Sequence, residues 1–195
     1  MELSRLLLLF ERDLAQFKYP YLDILQIGLS PDVVTKRLST LHISSDLLVI
    51  LYGWRNGVLD MDNRVIGQME LFARAIMLPL ENAIEHYDYA ITNDMWKEKL
   101  FPIFTSGGGD FLLFDANEQN QTVGQILTYS PSVTLSEEPV SIYDDMNTMF
   151  ETVIECYRQG AYRFDESGFI EVDYQIEQQL SQSKNPNSEY WKLDN

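Results

Sequence analysis

Leu100-Phe101-Pro102-Ile103-Phe104 and Phe111-Leu112-Leu113-Phe114 flank Ser106-Gly107-Gly108-Gly109-Asp110. Two short apolar runs rich in aromatic and branched residues, parted by a glycine-rich polar turn, predict an antiparallel hairpin. Glycines at 107–109 give the backbone access to tight turn geometries. Downstream, Gly124-Gln125-Ile126-Leu127-Thr128-Tyr129 reads as a third strand, reached through the polar loop Asn117 to Thr122. Upstream, Leu78-Pro79-Leu80-Glu81 opens a short helix carrying Ala83, Ile84, Tyr87 and Ile91, with proline at its start. The stretch Val65 to Met77 before it is mixed, with β-like pieces.

Helical spacing dominates on both flanks of this region. Leu3, Leu6, Leu7, Phe10, Leu14 and Phe17 recur at three and four residues and predict an amphipathic first helix, ended at Tyr19-Pro20-Tyr21. Ser30-Pro31-Asp32 is a strong helix start, followed by Val33, Val34, Leu38 and Leu41. Ser44-Ser45-Asp46 starts another, crowded with Leu47, Leu48, Ile50, Leu51 and Trp54. Asn56-Gly57 is read as its C-terminal stop, with glycine left-handed, in preference to a type I′ hairpin turn. A long helix is expected from about Ile142 to Gln159, with Ile142, Met146, Met149, Phe150, Val153 and Tyr157 as its buried stripe and Gly160 as its stop. From Arg163 the chain turns polar, with one short helix near Val172 to Leu180. The expected organisation is an N-terminal helical extension over 1–29, a central domain over 30–163, and a polar tail over 164–195 packing on it.

Composition bounds the function. Of 195 residues, 45% are hydrophobic and 12% aromatic, enough for one substantial core. Fourteen Lys+Arg against 30 Asp+Glu give a net charge of −16. Such a surface repels phosphate backbones and anionic membranes and attracts basic proteins, although acidity also serves solubility. The single cysteine, Cys156, fits a reducing compartment. The apolar run near the N-terminus stops at Phe10, meets Glu11-Arg12-Asp13 and has no small-residue cleavage site, so the cytoplasm is expected. No segment approaches the roughly 20 apolar residues of a membrane span.

Motifs for chemistry are weak. The Gly107–Gly109 triplet is followed by Asp110 and a strand, whereas a phosphate loop needs Gly-Lys-Ser/Thr and a helix. Only His42 and His86 are available to a transition metal, with no partner at ligand spacing. Asp115-Ala116-Asn117 starts like a calcium loop, but Asn120 stands where the sharp-turn glycine belongs. Cys156 lies inside a predicted helix, away from any helix-start dipole that would activate it. Paired carboxylates abound, but a pair in sequence is not a pair in a cleft. The expectation is a protein that is not an enzyme and carries no cofactor or metal.

Four segments, read in order, resemble the SUKH superfamily, which includes yeast cell-wall-synthesis regulators and many bacterial immunity proteins. The helix pair ending in Trp54-Arg55-Asn56-Gly57 is similar to the family's helix with its aromatic-x-Asn-Gly turn. Leu78-Pro79-Leu80-Glu81-Asn82-Ala83 is similar to the short helix start after the first strand. Trp96 through Phe101-Pro102-Ile103, Gly107-Gly108-Gly109-Asp110 and Asp115 resembles the family hairpin, and the strand Gly124–Tyr129 with its following helix completes the series. The resemblance spans about residues 30 to 163. It departs at Leu41-His42-Ile43-Ser44, where the family often has a Leu-Pro step.

The resemblance implies an α+β fold, a small, mainly antiparallel sheet backed by helices, here with an extra N-terminal helix. It implies a binder that blocks a cognate toxin, one that the charge makes a basic, nuclease-type protein, or alternatively a scaffold of the yeast regulatory type. Trp54, Trp96 and Phe111 are expected in the core, and Asn56, Gly57, Pro79, Pro102 and Gly107–Gly109 in structural turns. The expected contact residues are the loop acids Asp60, Asp62, Glu137, Glu138, Asp144 and Asp145. Asp110 and Asp115 are either turn-stabilising or part of the same acidic face.

Overall fold

A computed structural model describes residues 2–17, 22–59, 62 and 65–192. Helix α1 (Glu2–Gln16) buries Leu3, Leu6, Leu7, Phe10 and Leu14, as its spacing requires. Its predicted terminator, Tyr19-Pro20-Tyr21, lies outside the described residues. Strand β1 (Leu25–Ile27) leads to α2 (Pro31–Ser39) and α3 (Asp46–Trp54). Ser45 caps α3 by accepting from the Leu48 amide, whereas the Ser30 hydroxyl makes no capping bond and α2 begins on Pro31 alone.

Asn56-Gly57 is not a helix stop. Helix α3 ends at Trp54 and Arg55 is already extended, so residues 55–58 form strand β2, antiparallel to β1. Gly57 does adopt positive φ (+75°), but inside that strand. A Cβ there would lie 2.3 Å from the Pro79 nitrogen and 2.4 Å from the Leu78 carbonyl carbon. The Asn56 side-chain oxygen accepts from the Leu80 amide at 3.0 Å. The dipeptide therefore docks β2 against the start of the next helix and supplies that helix with a cap from outside it.

Strand β3 (Ile76–Met77) and α4 (Leu80–Thr92) are followed by the hairpin β4 (Leu100–Thr105) and β5 (Phe111–Asp115), then β6 (Ile126–Tyr129). The glycine turn closes the hairpin as expected: the Ser106 hydroxyl accepts from Gly108 N–H and donates to Asp110, and Thr105 Oγ1 accepts from Gly107 N–H. Pro102 sits in β4 where the register with β5 slips, the one kind of place where a strand interior tolerates a missing amide.

After the short helix α5 (Pro131–Thr134) comes β7 (Val140–Tyr143), where a helix was expected to be starting. Ile142 belongs to this strand. The following helix, α6 (Met146–Arg158), begins after a capping box in which Asp145 accepts from Thr148 N–H and Thr148 Oγ1 accepts from Asp145 N–H. The apolar positions of 142 and 146 share helical spacing, but the box fixes the start at Met146.

β3-β4-β5-β6-β7 form one antiparallel sheet in sequence order. Helix α4 lies along β4, with Tyr87 against Phe101 and His86 against Phe111. Helices α1, α3 and α6 meet around Phe10, whose ring packs on Trp54, Phe150 and Tyr157. Asp13, almost fully buried, receives the Arg158 guanidinium at 2.8 Å and ties α1 to α6. The chain ends with the hairpin β8 (Tyr162–Phe164) and β9 (Ile170–Val172), helix α7 (Tyr174–Lys184) and a 3-10 turn (Tyr190–Lys192). This last segment covers the free edge of β7. Glu189 N–H and the Ser188 hydroxyl donate to the Ser141 carbonyl, and Trp191 Nε1 donates to the Ile142 carbonyl at 2.8 Å. An edge covered in this way cannot pair with another chain. The pairs β1–β2 and β8–β9 cross the boundaries expected at 29/30 and 163/164, and α1 side chains join the same core as the sheet.

Candidate partner-binding surface

The acids expected to meet a partner divide sharply once placed. Asp115 has no exposure and organises the loop after β5. It accepts from the Asn117 amide (2.8 Å), the Asn120 side chain (3.0 Å) and the Thr122 hydroxyl (2.6 Å). Asp110, half-buried, is held across the hairpin turn by Ser106. Asp145 caps α6 and Asp144 accepts from the Asn187 side chain at 2.9 Å. Asp115 and Asp145 satisfy backbone donors of the fold, whereas Asp110 and Asp144 are half-buried and accept from side chains. Of the four, only Asp115 is closed off from solvent. Asp62, Glu137 and Glu138 are exposed, and Asp60 lies outside the described residues.

The structure adds an acidic surface that reading the loops alone missed. Glu81, Glu85 and Asp88 are exposed on α4, spaced four and three residues apart and therefore on one face of the helix. Glu98 and Asp88 both lie close enough to Tyr87 to act on its hydroxyl, whose pKa is raised first by burial and then by these charges. Lys97 reaches across to Glu138 at 3.4 Å and joins the turn after α4 to the loop before β7. The turn after α4 is thus linked through Lys97 to the 137–138 loop, and all three segments carry exposed acids. Two have a cationic partner, Glu81 with Arg37 and Glu138 with Lys97, both well exposed and so worth little to the fold. Tyr89, 63% exposed, stands beside Asp88. The signal was present in the sequence as acids at positions 81, 85 and 88 of a predicted helix, but only that helix's apolar side was read.

Reactive groups elsewhere are quiet. The Cys156 thiol is buried in α6 and pushed up to about 12, by burial first and then by the charge of Glu177. Burial holds His86 below its ordinary value, with Glu85 opposing. Among the described residues no three His, Cys, Asp or Glu side chains come together as a metal set. No helix among them is long and apolar enough to cross a membrane.

The profile of the SMI1 / KNR4 family (SUKH-1) matches residues 46–152, more than half of the chain. The protein belongs to that family. No curated protein matches it. The SUKH-1 stretch runs from the start of α3 into α6, and so contains the whole five-stranded sheet and α4 with its acidic face. Helices α1, α2 and α7 lie outside it. The family's aromatic-x-Asn-Gly segment is Trp54 to Gly57, and Trp54 donates from Nε1 to Glu11 of α1 at 2.7 Å. Arg55 pairs with the same carboxylate at 2.6 Å. Burial works to raise the Glu11 carboxyl, but the hydrogen bonds from Arg55 and Trp54 prevail and hold it below the usual range. Between α2 and α3, His42 takes a left-handed conformation (φ +55°) and the Ile43 amide turns back to the Leu38 carbonyl.

Proposed function

We propose that this SUKH-1 protein is an immunity protein that binds a basic, nuclease-type toxin in the cytoplasm and neutralises it by direct contact, without catalysis. The observation that carries the reading is the set of exposed acids on α4, the 94–98 turn and the 137–138 loop, the last two joined by the Lys97–Glu138 pair. Glu85 and Asp88 are exposed like charges at i and i+3, an arrangement that costs a helix a few tenths of a kcal/mol. A binding role accounts for that cost, since clustered charge of one sign speeds encounter with a partner of the other. The buried, protonated Cys156 supports a binder over a thiol enzyme, because a nucleophilic cysteine needs its pKa lowered, not raised.

The test has two arms. Cells producing the toxin domain encoded beside this gene should survive when the chain is co-expressed; death, or a locus with no toxin, refutes the reading. Association rates of the purified pair should fall when Glu85, Asp88, Glu98, Glu137 and Glu138 are replaced by their amides. The loss should shrink at high salt, where the screening length drops to about 3 Å at 1 M. Asp145 is left intact because neutralising it would weaken the cap of α6, and Asp144 because it accepts from the Asn187 side chain.

A further inference from the structure

A cleft of about 360 Å³ opens between the turn carrying Arg74 and helix α7, with Tyr174, Tyr190 and Trp191 on its walls. It shares Arg74, Glu177, Tyr190 and Trp191 with an inner cavity of about 50 Å³. Glu177 lines both and is only 4% exposed. One of its oxygens accepts the Tyr162 hydroxyl at 2.5 Å. Arg74 lines the same cleft and acts on Glu177 through its charge, without an ion pair. Glu177 is therefore a carboxyl removed from water, with one neutral hydrogen bond, at the floor of an aromatic cleft. Burial pushes it up, opposed by Tyr162 and Arg74. Such a group is costly when ionised unless a cation reaches it.

We propose that this cleft takes an arginine side chain of a protein partner, its guanidinium on Glu177 and its stem and planar face against Tyr174, Tyr190 and Trp191. This rests on the reading above that the partner is basic. Arginine suits the site better than lysine, because a planar guanidinium both stacks on aromatic faces and forks onto a carboxylate. Tyr174 is 63% exposed, so an aromatic wall is presented to solvent at the mouth. α7 and the 190–192 turn lie outside the SUKH-1 match, where a surface specific to one partner is free to differ from the family's shared sheet. Arg74 at the rim repels an incoming cation and sets the affinity.

The probe is n-propylguanidinium, titrated into the 15N-labelled full chain and followed at the Trp191 indole and the Tyr174 and Glu177 amides. Saturable shifts are expected, smaller or absent with propionate. Glu177→Gln should weaken binding about tenfold, the scale of one hydrogen bond to a charged group. Its amide oxygen still accepts from Tyr162, so the fold is retained. Tyr174→Ala, at an exposed position, should weaken it with no effect on folding, and Arg74→Ala should strengthen it. Absence of saturable shifts, equal binding by Glu177→Gln, or propionate binding that Arg74→Ala abolishes would each overturn the proposal. The probe needs no toxin, so failure of the immunity reading would show separately, in the survival assay.

Discussion

Gly57→Ala tests the junction on which β2, β3 and α4 converge. Two costs add. An L-residue at φ +75° gives up roughly 1–2 kcal/mol relative to glycine. The new Cβ also meets backbone, at 2.3 Å from Pro79 N and 2.7 Å from Leu78 O, and backbone cannot swing aside as a side chain can. Overpacking of that kind costs about 1–3 kcal/mol. The expected loss is therefore about 2–5 kcal/mol, a large share of a domain's total stability of about 5–15 kcal/mol. Gly124→Ala is the matched control, since Gly124 has φ +84° but no atom within 4 Å of the built Cβ. Urea denaturation of both variants, compared at equal m-value, isolates the contact. If Gly57→Ala costs no more than Gly124→Ala, the close approach of β2 to Pro79 is not what this position demands, and the account of the Asn-Gly segment fails.

Asp115→Ala should cost about 2–4 kcal/mol, because three donors lose their acceptor in a buried site, and should speed hydrogen exchange over residues 116–124; a loss below about 1 kcal/mol would free Asp115 for another role. Arg158→Ala leaves Asp13 buried beside only Arg12 at 3.4 Å and should cost about 1–2 kcal/mol, discounted because Arg158 is itself partly exposed. Pairing it with Asp13→Asn should recover part of that loss in thermal melts; strictly additive effects would show that the two side chains are not coupled. Glu177, with its folded pKa raised above the unfolded value of about 4.3, makes the folded state bind the extra proton, so stability should fall as pH rises through the interval between the two values. Glu177→Gln should flatten that part of the stability–pH curve, and an unchanged slope would place the linkage elsewhere.

Much of the fold was legible because local rules and tertiary packing agree there. The α1 stripe, the glycine hairpin, the Pro79 helix start and the Ser45 cap each follow from spacing or from one residue's stereochemistry. Two elements were misread where local rules compete. Ile142 sits four residues before Met146, so its apolar phase fits the helix, although Val140 to Tyr143 is a strand pinned by its pairing with β6. Asn56-Gly57 carries a glycine conformation that suits a helix stop, a hairpin or a strand irregularity, and only the nearness of Pro79 selects the last. The contact residues were the least legible. A carboxylate in a loop looks the same whether it faces a partner or holds its own backbone, and Asp115 and Asp145 hold theirs.

The sequence by itself determined the α+β class, the order of most elements, the acidic balance and the family resemblance, because each is written in neighbouring residues or in total charge. Tertiary structure decided which acids are free. It left Glu85, Asp88, Glu98, Glu137 and Glu138 exposed, buried Asp115 in a loop and set Asp145 as the cap of α6. It also laid the C-terminal segment over the β7 edge and set Glu177 beneath an aromatic cleft. These outcomes depend on groups tens of residues apart in the chain competing for the same donors and the same buried space, and no local pattern encodes the result of that competition.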